Sequence, residues 1–568
     1  MQLHQYISRG REYVRMHGLS YTLRHGLDKF MESRFGTFEQ YWKAMECTPD
    51  ELEWQRAHAP QAGTLTIVVP VYRPRVEHLK ALIESIREQS YTDFEALMYE
   101  AGGLQEIRTL LRETEKSDPR FRIIEAGENQ GISRNTNRAA EQVYTPWMVL
   151  TDHDDLLTKD ALYRLACVIA QGNADVVYTD EDKVTENGRL HTDAHWKPDF
   201  CPDSLRSANY VCHLLAVRTS VYFAAGGEDS RFDGSQDHDL MLRLSEVTTR
   251  IVHVPRICYH WRTLASSMSH SNRQACMEAS ARAVTEHMER TGLPGTAVAD
   301  GAVLRLRYKI RSPLTVEAIV LEEHPGEGRK SETYLGRSTY TSLHVRSVTA
   351  PAARRFQVIN EAVEQSRADV LLFLDASVLP TDPGIVEEML MYAQRDDVGA
   401  VTVALTDRKG RILHAGFAVG ADGTVRCRQQ GIALKAGGFH ILLRQSHNIS
   451  AMSAACFMVR KDHFLPFRMK LDGAMEMVDW CLCMQKAGYR HVYTPHGAAH
   501  AGKSRWLMLK PGAQADLYAA WSQLWPEYQD PCWNPWLRTD RADYRPVSLK
   551  ALRAIRQAEQ EKVGTGHE

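Results

Sequence analysis

Trp147-Met-Val-Leu-Thr-Asp-His-Asp-Asp155 joins an apolar run directly to a cluster of acids. Four large apolar residues in succession, with no polar alternation, read as a strand buried on both faces. The acids fall where that strand ends. Upstream, Leu65-Thr-Ile-Val-Val-Pro70 is a second run of this kind, and residues 76–89 have helical spacing through Leu79, Leu82, Ile83 and Ile86. Residues 94–99 and 120–125 read as further strands, and 133–143 as a helix. Strand and helix alternate, which predicts an α/β layer fold around a mostly parallel sheet. Ligands of such sheets sit at the carboxyl ends of the strands. Pro70-Val-Tyr72, Glu100 and the aspartates at 152–155 all lie at such ends.

Downstream the pattern repeats. Asn137-Arg-Ala139 recurs as Asn360-Glu-Ala362, Glu141-Gln142 as Glu364-Gln365 and Asp152 as Asp375, each 223 positions on. Further along, Asp239, Pro255 and His260 recur as Asp479, Pro495 and His500, 240 positions on. A period above 200 residues is too long for a solenoid and predicts two tandem copies of one domain. The expected division is a helical arm over 1–63, a first domain over 64–270, a helix and linker over 271–312, a degenerate second copy over 313–510 and a tail over 511–568.

Composition narrows the class. The 568 residues are 43% hydrophobic and 25% charged with a net charge of −2, which excludes a disordered chain and gives no global field for nucleic acid. Eleven cysteines, an odd number spread singly, cannot make a complete disulfide framework and point to a reducing, cytoplasmic setting. No run approaches the roughly 18–20 apolar residues of a spanning helix. Up to Arg34 the arm carries six Lys/Arg against three Asp/Glu, with Tyr13, Leu19, Tyr21, Leu23 and Phe30. Such a segment is either a packing arm or a peripheral contact with the inner face of the cell membrane.

Three carboxylates, Asp152, Asp154 and Asp155, repel one another at a strand end, and a hard divalent cation, Mg²⁺ or Mn²⁺, relieves this through oxygen ligands. The alternative is an acidic turn that caps the following helix. The surrounding segments decide between the two. Ile67-Val-Val-Pro-Val-Tyr72, Asn129-Gln-Gly-Ile-Ser-Arg-Asn135, Asp180-Glu-Asp-Lys183, Trp196-Lys-Pro-Asp199, Asn209-Tyr210, Gly234-Ser-Gln-Asp-His-Asp-Leu240 and Tyr259-His-Trp-Arg262 follow in order. In this order and spacing the chain resembles the family-2 glycosyltransferases of the GT-A fold, over residues 40–510. The closest likeness is to tandem-domain bacterial enzymes that build O-antigen, capsule and related surface glycans.

The resemblance implies roles for single residues. Pro70 and Tyr72 would line the nucleotide site, with Arg134 on the base or diphosphate. Asp152 and Asp154 would hold the donor diphosphate, Asp154, Asp155 and His260 the metal, and Asp237 would be the general base. Glu100 stands with Tyr99 where the family usually has paired aspartates for the nucleotide. The implied partners are a nucleotide-sugar donor and a glycan or lipid-linked saccharide acceptor. Read alone, Asp237 could cap its helix, His260 could be a core histidine and Arg134 a solvated helix residue. In the second copy Asp154 becomes Ser377, Asp155 becomes Val378 and Asp237 becomes Met477, which predicts a domain inactive in transfer. The competing readings are a glycan-binding scaffold without catalysis and a nucleotidyltransferase, the latter lacking a Gly-rich loop for a triphosphate.

Overall fold

A computed structural model of the chain describes residues 38–264, 272–311, 314–468, 471, 473–502, 504–507 and 513–565. The basic arm before Arg34 lies outside the described residues. Every residue of β1 (Leu65–Val71) is buried, because the strand sits between two parallel neighbours. These are β2 (Phe94–Glu100), followed outward by β3 (Phe121–Glu125), and on the other side β4 (Trp147–Leu150). The sheet continues through β5 (Leu156–Leu157), β6 (Val176–Val184), β7 (His191–His195), β8 (Leu215–Arg218) and β9 (Ile251–Arg262). Its order is β3-β2-β1-β4-β8-β6-β9-β5, with β7 on β6. The expected mostly parallel sheet holds only for its first half. β8 enters antiparallel between β4 and β6, and β5 and β7 also pair antiparallel, so the sheet is mixed.

Helices α1 (Phe38–Met45) and α2 (Pro49–Ala57) precede the sheet. Thr48 and Glu51 form a reciprocal capping box that starts α2. The crossovers are α3 (Val76–Arg87), α4 (Gln105–Ser117), α5 (Ile132–Ala140) and α6 (Ala161–Ala170). Then come α7 (Pro202–Ser207), α8 (Thr219–Ala224), α9 (Gln236–Val247) and α10 (Arg273–Arg290). Where a linker is expected after α10, a hairpin forms from β10 (Gly295–Asp300) and β11 (Val303–Tyr308).

The second sheet contains β12 (Val316–Glu322), β13 (Leu343–Thr349), β14 (Val370–Asp375), β15 (Val378–Pro380), β16 (Val398–Thr406), β17 (Ile412–His414), β20 (His447–Ile449), β21 (Cys456–Arg460) and β22 (Arg490–Ala501); β18 (Phe417–Val419) and β19 (Val425–Cys427) form a separate hairpin. Its order, β13-β12-β14-β21-β16-β22-β15, repeats the first sheet without a partner for β3 among the described residues. Leu156 pairs with His260, and Leu379 pairs with His500. The two sequence offsets therefore meet at one equivalent ladder position.

One core cluster runs through both sheets. Between them Asp203, on α7, is fully buried against Arg395 and accepts from Asn448 at 3.0 Å. Removing one partner of a buried pair such as Asp203–Arg395 costs about 3–5 kcal/mol. The tail, with α11 (Ala513–Leu524) and α12 (Leu549–Thr565), packs on both domains. Trp521 bonds Asp479 at 2.8 Å, Trp536 bonds the Pro255 carbonyl at 2.5 Å, and Arg556 meets Glu51 at 2.8 Å. Among the described residues no helix is long and apolar enough to cross a membrane.

Candidate functional site

The ends of β1 and β4 and the first turns of α5 and α9 border a small cleft. Pro70, Asp152 and Asp237 line it together, from three distant parts of the chain, with Thr136, Cys212, His213, Glu228 and Gln236 beside them. Asp237 occupies the first turn of α9, where a carboxylate is favoured by the helix dipole. Asn209 donates to one of its oxygens at 2.7 Å.

The aspartate turn is held from β9. Tyr259 accepts from the Asp152 backbone N–H at 3.2 Å and donates its hydroxyl to Asp155 at 2.6 Å. The Arg262 backbone N–H donates to the other Asp155 oxygen at 2.7 Å. Asp155 is thus buried with a hydrogen bond to each oxygen, and it anchors the turn to β9. Burial pushes its carboxyl well above the ordinary range, and Asp154 and Asp152 add to this.

Asp152 and Asp154 behave differently. Burial would raise the Asp152 carboxyl, but His213, whose Nε2 lies 3.4 Å away, holds it below its ordinary value. Burial opposes the charge of His213, yet Asp152 beside it holds the imidazole up at about 9. The Asp154 carboxyl is raised, chiefly by burial, with Asp152 adding to the shift. No other described residue donates a hydrogen bond to that carboxylate. An unshared, disfavoured carboxylate next to a second one is a donor set that fits a hard divalent cation. Arg262, 3% exposed, donates from Nε to the Asp154 carbonyl at 2.5 Å and keeps its Nη2 without a hydrogen bond among the described residues.

Glu228 is the residue that sequence reasoning missed most clearly. It lines the cleft, its Oε2 is buried without a partner among the described residues, and burial with Asp237 and Asp152 nearby pushes its carboxyl up to about 8. His213 was equally unmarked. Neither lies in a segment whose pattern distinguishes it from a packing residue.

Other expected residues sit elsewhere. Glu100 is fully buried, and its carboxylate accepts from Gly102 N–H, Gly103 N–H and Arg108 Nε, each at 2.7 Å. It builds the turn after β2; a Cβ at Gly102 would come within 2.8 Å of the Arg73 backbone nitrogen, so only glycine fits. Arg134 is exposed and lies with Arg138 and Glu141 on the side of α5 away from Ile132 and Thr136, outside the cleft. Tyr72 is 42% exposed at the mouth of β1, with Arg73 over its ring. His260 is engaged by Asp182 at 2.5 Å, and the ligand atoms it converges with are those of Asp182 and His191.

The second copy keeps the scaffold without the cleft chemistry. Asp375 accepts from Ser377 at 2.5 Å and pairs with the buried Arg355 at 3.0 Å, and Met477 is fully buried.

Residues 66–223 match the family described as Glycosyl transferase family 2. The match covers β1 through α8 and includes the aspartate turn and His213. The chain carries a family-2 glycosyltransferase domain. The first sheet carries this domain, and the second sheet repeats its strand order. The chain is 31% identical over 529 residues to uncharacterized protein y4gI of Sinorhizobium fredii, covering 84% of this chain and 58% of that one. It is 29% identical over 527 residues to O-antigen biosynthesis protein RfbC of Myxococcus xanthus, covering 84% and 40%. The chain thus spans about half the length of these curated relatives. Among solved structures, S. aureus TarS 1–349 in complex with UDP aligns at 17% identity and a TM-score of 0.32, over 40% of this chain and 65% of that one.

Proposed function

We propose that the chain is a metal-dependent, inverting glycosyltransferase that moves a sugar from a nucleotide-sugar donor to a bacterial surface glycan. The observation that carries this reading is the single cleft in which Pro70, Asp152 and Asp237 converge at strand and helix ends. The donor diphosphate would lie against Asp152 and Asp154, beside the free Nη2 of Arg262. A bound Mg²⁺ or Mn²⁺ would offset the charge of the departing diphosphate. Asp237 accepts the proton of the acceptor hydroxyl at its carboxylate, while Asn209 fixes that carboxylate's orientation. Glu228, held neutral below about pH 8, forms the cleft wall without adding a negative charge. Val68, Ile132 and Leu150 give part of the cleft an apolar lining, which strengthens polar contacts beside it.

A glycan acceptor is supported by the likeness to a protein named for O-antigen biosynthesis. If that acceptor is lipid-linked, the basic arm before Arg34 is the segment suited to meet an anionic membrane from the cytoplasmic side. The test is hydrolysis and transfer from UDP-, GDP- and dTDP-sugars by the full chain, with Mn²⁺ and after chelation. Turnover of one donor that stops with EDTA and returns with Mn²⁺ is expected. A chain that turns over none of them under either condition is a binding protein, not an enzyme.

A further inference from the structure

We propose that Asp182, His191 and His260 form a second metal site, for a borderline divalent cation of the zinc class, distinct from the acidic cleft. Three strands bring them together. Asp182 and His260 are ladder partners on parallel β6 and β9, and His191 opens β7, paired antiparallel to Val184 of β6. Asp182 is fully buried, with one oxygen 2.5 Å from His260 Nδ1 and the other 2.9 Å from His191 Nδ1. One ligand atom from each residue lies within 4.8 Å of the other two, and among the described residues this is the cluster of three metal-binding side chains that converges so. The imidazoles meet nearly edge to face, with centroids 4.5 Å apart.

The donor set selects the ion. Two imidazoles and one carboxylate suit zinc and its transition-metal neighbours, whereas magnesium takes oxygen ligands alone. Trp42 of α1 closes the site, stacked on His191 at 5.0 Å and edge-on to His260 at 4.6 Å. The second domain supplies an internal control. Its ladder partner for His500 is Thr406, whose hydroxyl lies 3.1 Å from His500 Nδ1. The fold therefore seats a histidine here with a hydroxyl opposite, and the carboxylate and second imidazole of the first domain are not required for packing.

The experiment uses the full chain, freed of metal by chelation and desalted, and titrated with zinc chloride and separately with cobalt chloride. One equivalent of zinc bound at micromolar or tighter affinity is expected, together with the visible absorption of cobalt bound by nitrogen ligands. Asp182→Asn and His191→Gln should each reduce zinc uptake by tenfold or more, while Asp154→Asn retains it. His191 is only partly buried, so its variant should fold if Asp182→Asn does not. Absence of zinc binding by the unaltered chain would overturn the proposal, leaving a hydrogen-bonded triad. So would unchanged uptake in His191→Gln, or loss of zinc in Asp154→Asn, which would place the ion in the acidic cleft.

Discussion

Arg355 reaches Asp375 at 3.0 Å in the second domain, at the position that Ile132 holds in the first. The offset of 223 residues makes the pair equivalent. Ile132 lines the cleft, whereas Arg355 is 2% exposed and lies over the Trp506 ring at 4.3 Å. Asp375, the counterpart of Asp152, is thus paired with an internal guanidinium. The full chain should accordingly bind one nucleotide diphosphate, not two. Titration calorimetry with UDP, GDP and dTDP plus Mn²⁺ should give a stoichiometry of one for the preferred nucleotide, and Asp154→Asn should remove it. Residual micromolar binding in Asp154→Asn would mean that the second domain is a working site. Arg355→Met should destabilise the chain by about 3–5 kcal/mol, because it leaves Asp375 buried and unpaired.

Asp237→Asn should cut transfer by about 10²–10⁴ while donor affinity stays within a factor of a few, since a positioned base has roughly that worth. The amide keeps the size of the side chain and can still meet Asn209 after a flip, but it cannot take a proton. Steady-state kinetics alongside donor titration separate the two effects. Equal loss of binding and turnover would make Asp237 a ligand or packing residue.

The strands at Leu65–Val71 and Trp147–Leu150 were legible because central strands in this sheet are buried on both faces, so their runs lack alternation. The duplication was legible because a gapless offset survives where helix and strand must keep their spacing. Antiparallel β8 was not, since a four-residue apolar strand carries no mark of direction. At the site, motifs pointed to Asp152 and Asp237 as candidates, but the surroundings of Asp155, Glu100 and His260 depend on non-local partners. Tyr259, Arg108 and Asp182 become their partners only through sheet register and helix placement. His191 lies nine residues from Asp182 and meets it through the β6–β7 turn, a pairing that spacing alone does not distinguish from a solvated edge strand.

Glu228 imposes a pH dependence whose direction can be worked out. Its folded value of about 8 lies above the ordinary 4.5, so the folded chain holds this proton where the unfolded chain releases it. Stability should therefore fall as pH rises from about 4.5 to about 8 and level off beyond. Asp237 and Asp152 raise the shift, and the Thr136 hydroxyl and His213 oppose it. Glu228→Gln removes this term alone. The variant should match the unaltered chain near pH 5 and melt higher than it at pH 8. Because His213 also titrates in this region, the difference between the two melting profiles is the quantity to read. Parallel profiles would show that Glu228 is ionised throughout.

Asn534 in the tail donates to both oxygens of Asp180, at 3.2 and 2.9 Å, and to the Lys197 carbonyl at 2.9 Å. Asp180 is fully buried on β6, and it also accepts from the Lys197 backbone N–H at 2.8 Å and faces His253 Nε2 at 3.0 Å. The tail therefore completes a buried polar network inside the first domain, more than 300 residues away in sequence. Asn534→Leu keeps the branched outline of the side chain but leaves the Asp180 oxygens short of donors, and a buried acceptor without its partner costs about 1–3 kcal/mol. The expected result is a lower melting temperature for the first domain, with donor affinity falling only as far as the fold loosens. Asn534→Asp should be worse, because it sets a second carboxylate against Asp180. An Asn534→Leu chain that melts like the unaltered one, by calorimetry and by hydrogen exchange on β6, would make the tail a surface strap with no part in the first domain's core.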